Sequence, residues 1–218
     1  MKKVAKTSKV HTKYTLKNGM IVPGVTTITR QLGDKGGMVH VAWKLGTEGI
    51  DYRKHWDEKA LIGTLTHEMI AGHFKDEEVD VSEYSQRVIT QAMVCVEKFH
   101  AWKENHSIEP VLIEKQMVSE GLRFGGSVDF LGEVDGELTL LDFKTGKIYD
   151  ETWYQIAGYS ILIEEQGYNP TRFSLLRIPT DTDEVYCPMK KDLGKQREIF
   201  RLALGIYSLQ KAIRREDG

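Results

Sequence analysis

The sequence predicts an α/β or α+β layer fold, a mixed central β-sheet flanked by helices with an N-terminal helical region. Three observations lead there. Residues 52–74 carry Trp56, Ala60, Leu61, Leu65, Met69 and Ile70 at helical spacing, and residues 82–106 carry Val88, Ile89, Ala92, Val96, Phe99 and Trp102 in the same way. Three consecutive segments after Pro110 read as strands, two of them joined by Asp135-Gly136, the strongest short-range hairpin signal. Helix, two strands and helix then complete the chain, an order that a sheet covered by helices satisfies.

Taken in order, residues 1–12 read as a flexible basic tail carrying Lys2, Lys3, Lys6 and Lys9. Residues 14–22 form a hairpin pattern with Asn18-Gly19 as its turn, and Pro23-Gly24 ends it. Thr26-Thr27 caps a short helix through Leu32, Gly33, Gly36 and Gly37 break the chain, and a helix follows over 38–45. Ser82 caps the second long helix, and Pro110 ends the helical region. The strands are expected at 111–117, 123–134 and 137–144, a helix at 152–166, further strands at 172–178 and 184–186, and a closing helix at 192–215.

The chain has 218 residues, enough for one sizeable core, and is read as a single domain over 1–218. Its 40% hydrophobic and 28% charged residues are ordinary for a globular protein, and a net charge of −2 advertises no global basic field. Cys95 and Cys187 are too few and too far apart for a Cys₄ site or a disulfide framework, which points to a reducing cytoplasm. No run of 18 apolar residues and no signal-peptide pattern is present, so no membrane partner is expected.

The chemistry concentrates around the Asp135-Gly136 turn. With those two residues central, Val134 faces Glu137, Asp129 lands opposite Asp142, and Ser127 opposite Lys144. Alternation puts Ser127, Asp129, Asp142 and Lys144 on one face and Val128, Phe130, Leu141 and Phe143 on a core face. Like charges directly opposed are destabilising, so the paired aspartates call for a counter-charge. A hard divalent cation supplies one, because carboxylate oxygen is what Mg²⁺ or Mn²⁺ prefers.

Gly126-Ser127-Val128-Asp129, Leu141-Asp142-Phe143-Lys144-Thr145-Gly146-Lys147, and Gln155 with Tyr159 together resemble the PD-(D/E)xK nuclease superfamily, and within it the RecB-like, phage-type exonuclease branch. Gly63-Thr64-Leu65-Thr66-His67 resembles that branch's N-terminal histidine motif, and Pro23-Gly24-Val25-Thr26-Thr27-Ile28 a segment ahead of it. The resemblance covers about residues 20–180 and implies a restriction-endonuclease-like core. It implies catalytic roles for Asp129, Asp142 and Lys144, and metal ligands in His67, Asp129, Asp142 and the backbone carbonyl of Phe143. One or two Mg²⁺ or Mn²⁺ ions are implied, and no iron–sulfur cluster. Gln155, Tyr159, Gly126 and Ser127 are implied substrate contacts, with Glu114 in an outer shell, as a metal ligand, or simply as an exposed strand acid. Without the resemblance, His67 reads as a packing or surface residue of its helix. Gly125-Gly126 either lets a phosphate backbone pass close or permits a bulge. Trp153 and Tyr154 read as base-stacking rings or as core.

Two other motifs fail. His73 follows His67 by six residues and lies on another side of the helix, which excludes a zinc-protease pair. Leu141 stands where a phosphate loop needs glycine, and Ile148 where it needs Ser or Thr.

The resulting expectation is a metal-dependent deoxyribonuclease, an exonuclease hydrolysing DNA phosphodiester bonds by metal-activated water in recombination, repair, replication or phage DNA processing. The alternatives are a catalytically silent nuclease-fold module that binds DNA or a partner, and a restriction or repair endonuclease on the same fold. The expected partner is DNA, single-stranded or at ends, with a recombination or replication protein as a second partner. Oligomeric state and polarity stay open.

Overall fold

A computed structural model describes residues 12–33 and 35–216, so the anticipated basic tail lies, except for Thr12, outside the described residues. A small hairpin of β1 (Tyr14–Thr15) and β2 (Ile21–Val22) leads to α1 (Val25–Thr29), a 3-10 turn (Arg30–Leu32) and α2 (Lys35–Thr47). The long helices α3 (Tyr52–Lys75) and α4 (Gln86–Lys103) precede β3 (Ile108–Ser119), β4 (Phe124–Val134) and β5 (Glu137–Lys144). Then come α5 (Asp150–Glu165), β6 (Arg172–Arg177), β7 (Met189–Lys190) and α6 (Gly194–Glu216).

The five-stranded sheet runs β3-β4-β5-β6-β7. Neighbours are antiparallel except β5 and β6, which α5 joins as a parallel crossover. One buried cluster gathers Val25 and Ile28 of α1, Ile156 and Leu162 of α5, and Phe200 of α6 against Leu131, Leu140 and Leu175 of the sheet. A second gathers Ile70 of α3 and Cys95 and Phe99 of α4 against Phe130, Leu141, Phe143 and Leu176. The sheet is thus sandwiched between α1, α5 and α6 on one side and α3 and α4 on the other, which buries both its faces.

The β4–β5 turn forms as the sequence requires. Asp135 (φ 53°) and Gly136 (φ 78°) both take positive φ, as a type I′ turn demands. Asp135 carries the cost because its carboxylate accepts from the Ser107 amide at 3.0 Å and pairs with His106 at 2.7 Å. The ladder runs from Val134↔Glu137 to Phe130↔Leu141. The ladder ends there, so the anticipated pairs Asp129–Asp142 and Ser127–Lys144 are not rungs of it, and the Asp129 side chain instead accepts the Phe143 amide.

Several boundaries differ from the sequence reading, each for a local reason. The first hairpin pairs Tyr14↔Val22 and Thr15↔Ile21, which leaves five residues (16–20) between its strands, not two. Gly19 takes φ 83° there and donates its amide to Leu16 at 2.9 Å. α1 has Gly24 at its N-cap with no side-chain cap, and α2 already includes Gly36 and Gly37. α4 starts later, because Ser85 and not Ser82 accepts from a helix amide, that of Val88. Pro110 sits inside β3, at a register shift between Pro110 and Leu112 where a missing N–H is tolerated. The expected strand at 184–186 shrinks to an isolated bridge, Arg177↔Tyr186, and β7 forms after Pro188.

Glycines fix two close approaches. A Cβ on Gly125 would lie 2.5 Å from the Tyr14 side chain, and one on Gly126 would lie 2.8 Å from Tyr159 and 3.1 Å from Leu162. The space that a side chain at position 126 would need is therefore filled by α5. A Gly126→Ala substitution is expected to destabilise the fold by about 1–3 kcal/mol through overpacking, read as a lowered midpoint in urea unfolding.

Candidate metal centre and active site

Helix α3 supplies His67. Asp51 caps the helix by accepting from the amides of Arg53 and Lys54. Ile62, Leu65, Thr66 and Ile70 bury its inner face. Gly63, one turn before His67, passes Thr145 at the end of β5, where a Cβ would come within 3.3 Å of the threonine hydroxyl. That approach sets the His67 ring edge-on to Phe143, with Nε2 3.0 Å from the Phe143 carbonyl oxygen. An Nε2–H donating to that carbonyl leaves Nδ1 facing outward from the strand. Nδ1 lies 3.5 Å from Asp129 Oδ2 and 3.6 Å from Glu114 Oε1.

The sheet supplies the carboxylates. Ile113↔Phe130 and Lys115↔Val128 pair on either side of Glu114 and Asp129, so the two acids face each other across β3 and β4. Glu114 adopts φ 48° inside its strand, a conformation a non-glycine residue takes only when its surroundings enforce it. The alternation of β4 breaks at the same level. Val128 belongs to the cluster under α5 and α6, while Phe130, Leu141 and Phe143 belong to the cluster under α3 and α4. All four are buried, but they do not share one face as strict alternation expects. Asp129 accepts the Phe143 amide through Oδ2 at 2.9 Å, so its side chain takes a place a ladder partner would otherwise hold.

Asp142 is 2% exposed, and Lys144 Nζ stands 2.5 Å from its Oδ2. The contact lacks hydrogen-bond geometry, and Oδ2 has no hydrogen-bond partner among the described residues. The protonation equilibria record the crowding. Burial pushes Asp142 up to about 6 and Asp129 pushes it the same way, against the pull of the Lys144 ammonium. Burial also disfavours the Asp129 carboxylate, yet the His67 imidazolium, Lys144 and the Phe143 amide outweigh it and hold Asp129 below the usual range. Burial opposes the His67 imidazolium, but Asp129 and Glu114 lift it to about 10. Burial likewise opposes the Lys144 ammonium, and Asp142 and Asp129 raise it nonetheless. The His67 imidazolium and the Lys144 ammonium thus offset carboxylate charge within the site.

The other anticipated residues surround this centre. Tyr159 is buried, and burial with the Asp142 and Asp129 charges raises its hydroxyl well above the ordinary value. Gln155, one turn earlier on α5, is half-buried and lines a groove of about 800 Å³ with Arg30, Tyr52, Trp56 and Tyr149. Ser127 is half-buried, and its hydroxyl lies 3.4 Å from that of Tyr14. Trp153 packs against the α5 cluster with Lys190 over its ring, which favours the core reading for that side chain. Glu68 accepts from Tyr84 at 2.8 Å and so is tied to the helix layer rather than lying free on the surface. Glu114, for which the sequence leaves an outer-shell, a metal-ligand and an exposed-acid reading open, has a carboxylate oxygen 3.6 Å from His67 Nδ1. The β3–β4 connection spans residues 120–123 and is no two-residue turn, so no local signal sets the register that faces Glu114 with Asp129.

A family model described as the PD-(D/E)XK nuclease superfamily matches residues 13–216. The chain belongs to that superfamily. No curated protein sequence matches it. Among solved structures it is similar to an alkaline exonuclease (LHK-Exo) from Laribacter hongkongensis, at 14% identity and a TM-score of 0.34 over 70% of this chain and 85% of that one. It is similar also to SSO0001, at 14% identity and a TM-score of 0.33 over 68% and 86% of the two chains.

For a PD-(D/E)XK nuclease, the mixed sheet between helix layers is the restriction-endonuclease-like fold, DNA is the substrate class, and a divalent metal ion is the cofactor class. The residues present fit such an ion. Nδ1 of His67, a Glu114 oxygen and an Asp129 oxygen lie within 4.8 Å of one another, and no other such group occurs among the described residues. Two carboxylates with one imidazole suit a hard or borderline divalent cation. The hydrogen bond from Nε2 to the Phe143 carbonyl is the kind that orients a ligating histidine. Among the described residues, no helix is long and apolar enough to cross a membrane.

Proposed function

We propose that this chain is a Mg²⁺- or Mn²⁺-dependent exodeoxyribonuclease, acting as one domain on single-stranded DNA or DNA ends during recombination, repair, replication or phage DNA processing. One observation carries the reading: His67, Glu114, Asp129 and the Asp142–Lys144 pair converge where α3 crosses the end of β5. His67, Asp129 and Glu114 would hold the ion, with Asp142 and the Phe143 carbonyl beside them. The ion would supply Lewis acidity toward a phosphate oxygen and a more acidic water.

The chain's own residues supply the rest. Lys144 holds an ammonium where negative charge builds on the phosphate in the transition state. Asp142 keeps that ammonium in place, at 2.5 Å. Gln155 and Tyr159, four residues apart on α5, would contact the DNA backbone and position the scissile phosphate. The groove beside Gln155 supports a single-stranded substrate, because Tyr52, Trp56 and Tyr149 offer faces on which unpaired bases stack. Two unpaired thiols, Cys95 and Cys187, are consistent with a reducing cytoplasm.

The test is digestion of end-labelled linear single strands, linear duplex and circular single strands with Mg²⁺ or Mn²⁺, with and without chelator. Linear DNA should be degraded and circles spared, and chelator should abolish the activity. Cut circles would favour the endonuclease reading. Binding without cleavage under every metal would favour the silent module. Mn²⁺ alone should also raise the melting temperature of the wild type, since a ligand that binds only the folded state stabilises it. His67→Ala should lose most of that shift.

A further inference from the structure

α6 carries two apolar faces, and the fold uses one. Phe200, Ala203 and Leu204 are buried against the body of the protein, where α6 packs on α5 and α1. A separate row is left in solvent. Leu202, Ile206, Leu209 and Ile213 are exposed by 63%, 49%, 68% and 55%, and half-buried Ile199 begins the row. The spacing along 199, 202, 206, 209 and 213 alternates three and four residues, the heptad period of a coiled-coil seam. Isoleucine occupies every a position (199, 206, 213) and leucine both d positions between them (202, 209). Single exposed apolar residues are normal on a protein surface, but five in heptad register with this division of types are not.

We propose that α6 pairs with the α6 of a second copy of this chain as a parallel two-stranded coiled coil, making the nuclease a homodimer. The occupant follows from the residues themselves. A β-branched residue at a with leucine at d is the combination that selects two parallel strands over three or four. In that arrangement each g residue meets the e residue five positions on in the partner, which sets Gly205 beside Gln210, while Ala203, the e position matching Glu198, stays buried against its own protomer. Between Ile199 and Ile213 no like charges meet; Lys195 and Glu216 fall at the flanking d positions, at the two ends of the helix, where each would face its own copy outside the apolar row. The basic residues Arg201, Lys211, Arg214 and Arg215 fall at b, c and f, away from the seam. Beyond Leu204 no described residue of the helix is buried, so its C-terminal half presents the seam clear of the body. The helix is also already anchored, so association need not supply the nucleation cost that makes short isolated helices marginal.

Sedimentation equilibrium of the full chain tests this. The wild type should sediment at twice the chain mass at micromolar concentration. An Ile206→Glu/Leu209→Glu double variant should sediment as a monomer, with association weakened at least about a hundredfold and the circular-dichroism spectrum unchanged. Direction is read separately. In a Cys187→Ser background, Ile213→Cys should form a disulfide between copies on mild oxidation, because parallel pairing sets position 213 against itself. A wild type that stays monomeric, or self-association that persists in the double glutamate variant, would overturn the proposal. So would a dimer in which Ile213→Cys fails to cross-link, since antiparallel pairing would place that residue opposite Leu202.

Discussion

Asp142→Asn is expected to lower DNA cleavage by at least about a thousandfold, equivalent to about 4 kcal/mol of lost transition-state stabilisation, while making the metal-free protein more stable. The two effects have one cause. The Asp142 carboxylate is 2% exposed, its Oδ2 lacks a hydrogen bond, and the Asp129 charge disfavours it further. Burial and that neighbour raise its pKa to about 6 despite Lys144. A carboxylate raised on folding binds more protons in the folded state, so stability is full at low pH and falls as pH rises from the ordinary carboxylate value to about 6. Above that window the metal-free wild type carries the whole penalty. Asparagine resembles the protonated acid and escapes it. At pH 7.5 the variant should melt several degrees above the wild type in chelator, and the difference should vanish near pH 4. Differential scanning calorimetry at the two pH values, together with a cleavage assay at saturating Mn²⁺, checks both halves. A variant that melts lower at pH 7.5 would show that Asp142 holds the fold together rather than storing strain for a cation.

How much of this could be read from the chain alone depends on the range of the interaction. The Asp135-Gly136 turn is local: two residues that tolerate positive φ fix the β4–β5 register, and the pairing up to Phe130↔Leu141 follows by counting. Asp142 and Lys144 lie just beyond it on the same strand, while His67 stands out only through the resemblance of Gly63-Thr64-Leu65-Thr66-His67, since the period of its helix makes it a packing or surface residue. What counting misses is the break in alternation at Asp129. That break arises because its side chain takes the Phe143 amide and because Glu114, across the sheet, is held at positive φ. Both are tertiary effects with no local signature. Gly125 and Gly126 show the same limit. Two adjacent glycines announce a close approach, but only packing reveals that Tyr14 and Tyr159 are what approach. The sequence reading takes Ser82 as the cap of α4, whereas Ser85 is the residue whose side chain accepts the Val88 amide.

Lys144→Ala should also cut cleavage, by about 10²- to 10⁴-fold if its ammonium stabilises or transfers charge in the transition state. Its effect on stability should run opposite to that of Asp142→Asn. Removing the lysine leaves a buried carboxylate beside Asp129 with no cation at 2.5 Å, and losing one member of a buried pair costs about 3–5 kcal/mol before relaxation. Asp142 can respond by taking up a proton, which limits the loss and shifts it toward high pH. The double variant Lys144→Ala/Asp142→Asn then discriminates. If the pair's stability effect is electrostatic, the double variant should recover most of the stability that Lys144→Ala loses, a coupling well outside the additive range for independent sites. Activity should not recover, because neither the charge nor the ligand returns. Lys144→Arg refines the point. It keeps the cation beside Asp142, so stability should hold near wild type, but a planar fork replaces a compact ammonium and the water or phosphate it would face is displaced. Retained stability with lost cleavage in Lys144→Arg would separate the lysine's work on DNA from its work on the fold. Full cleavage in Lys144→Ala would remove it from the chemistry altogether.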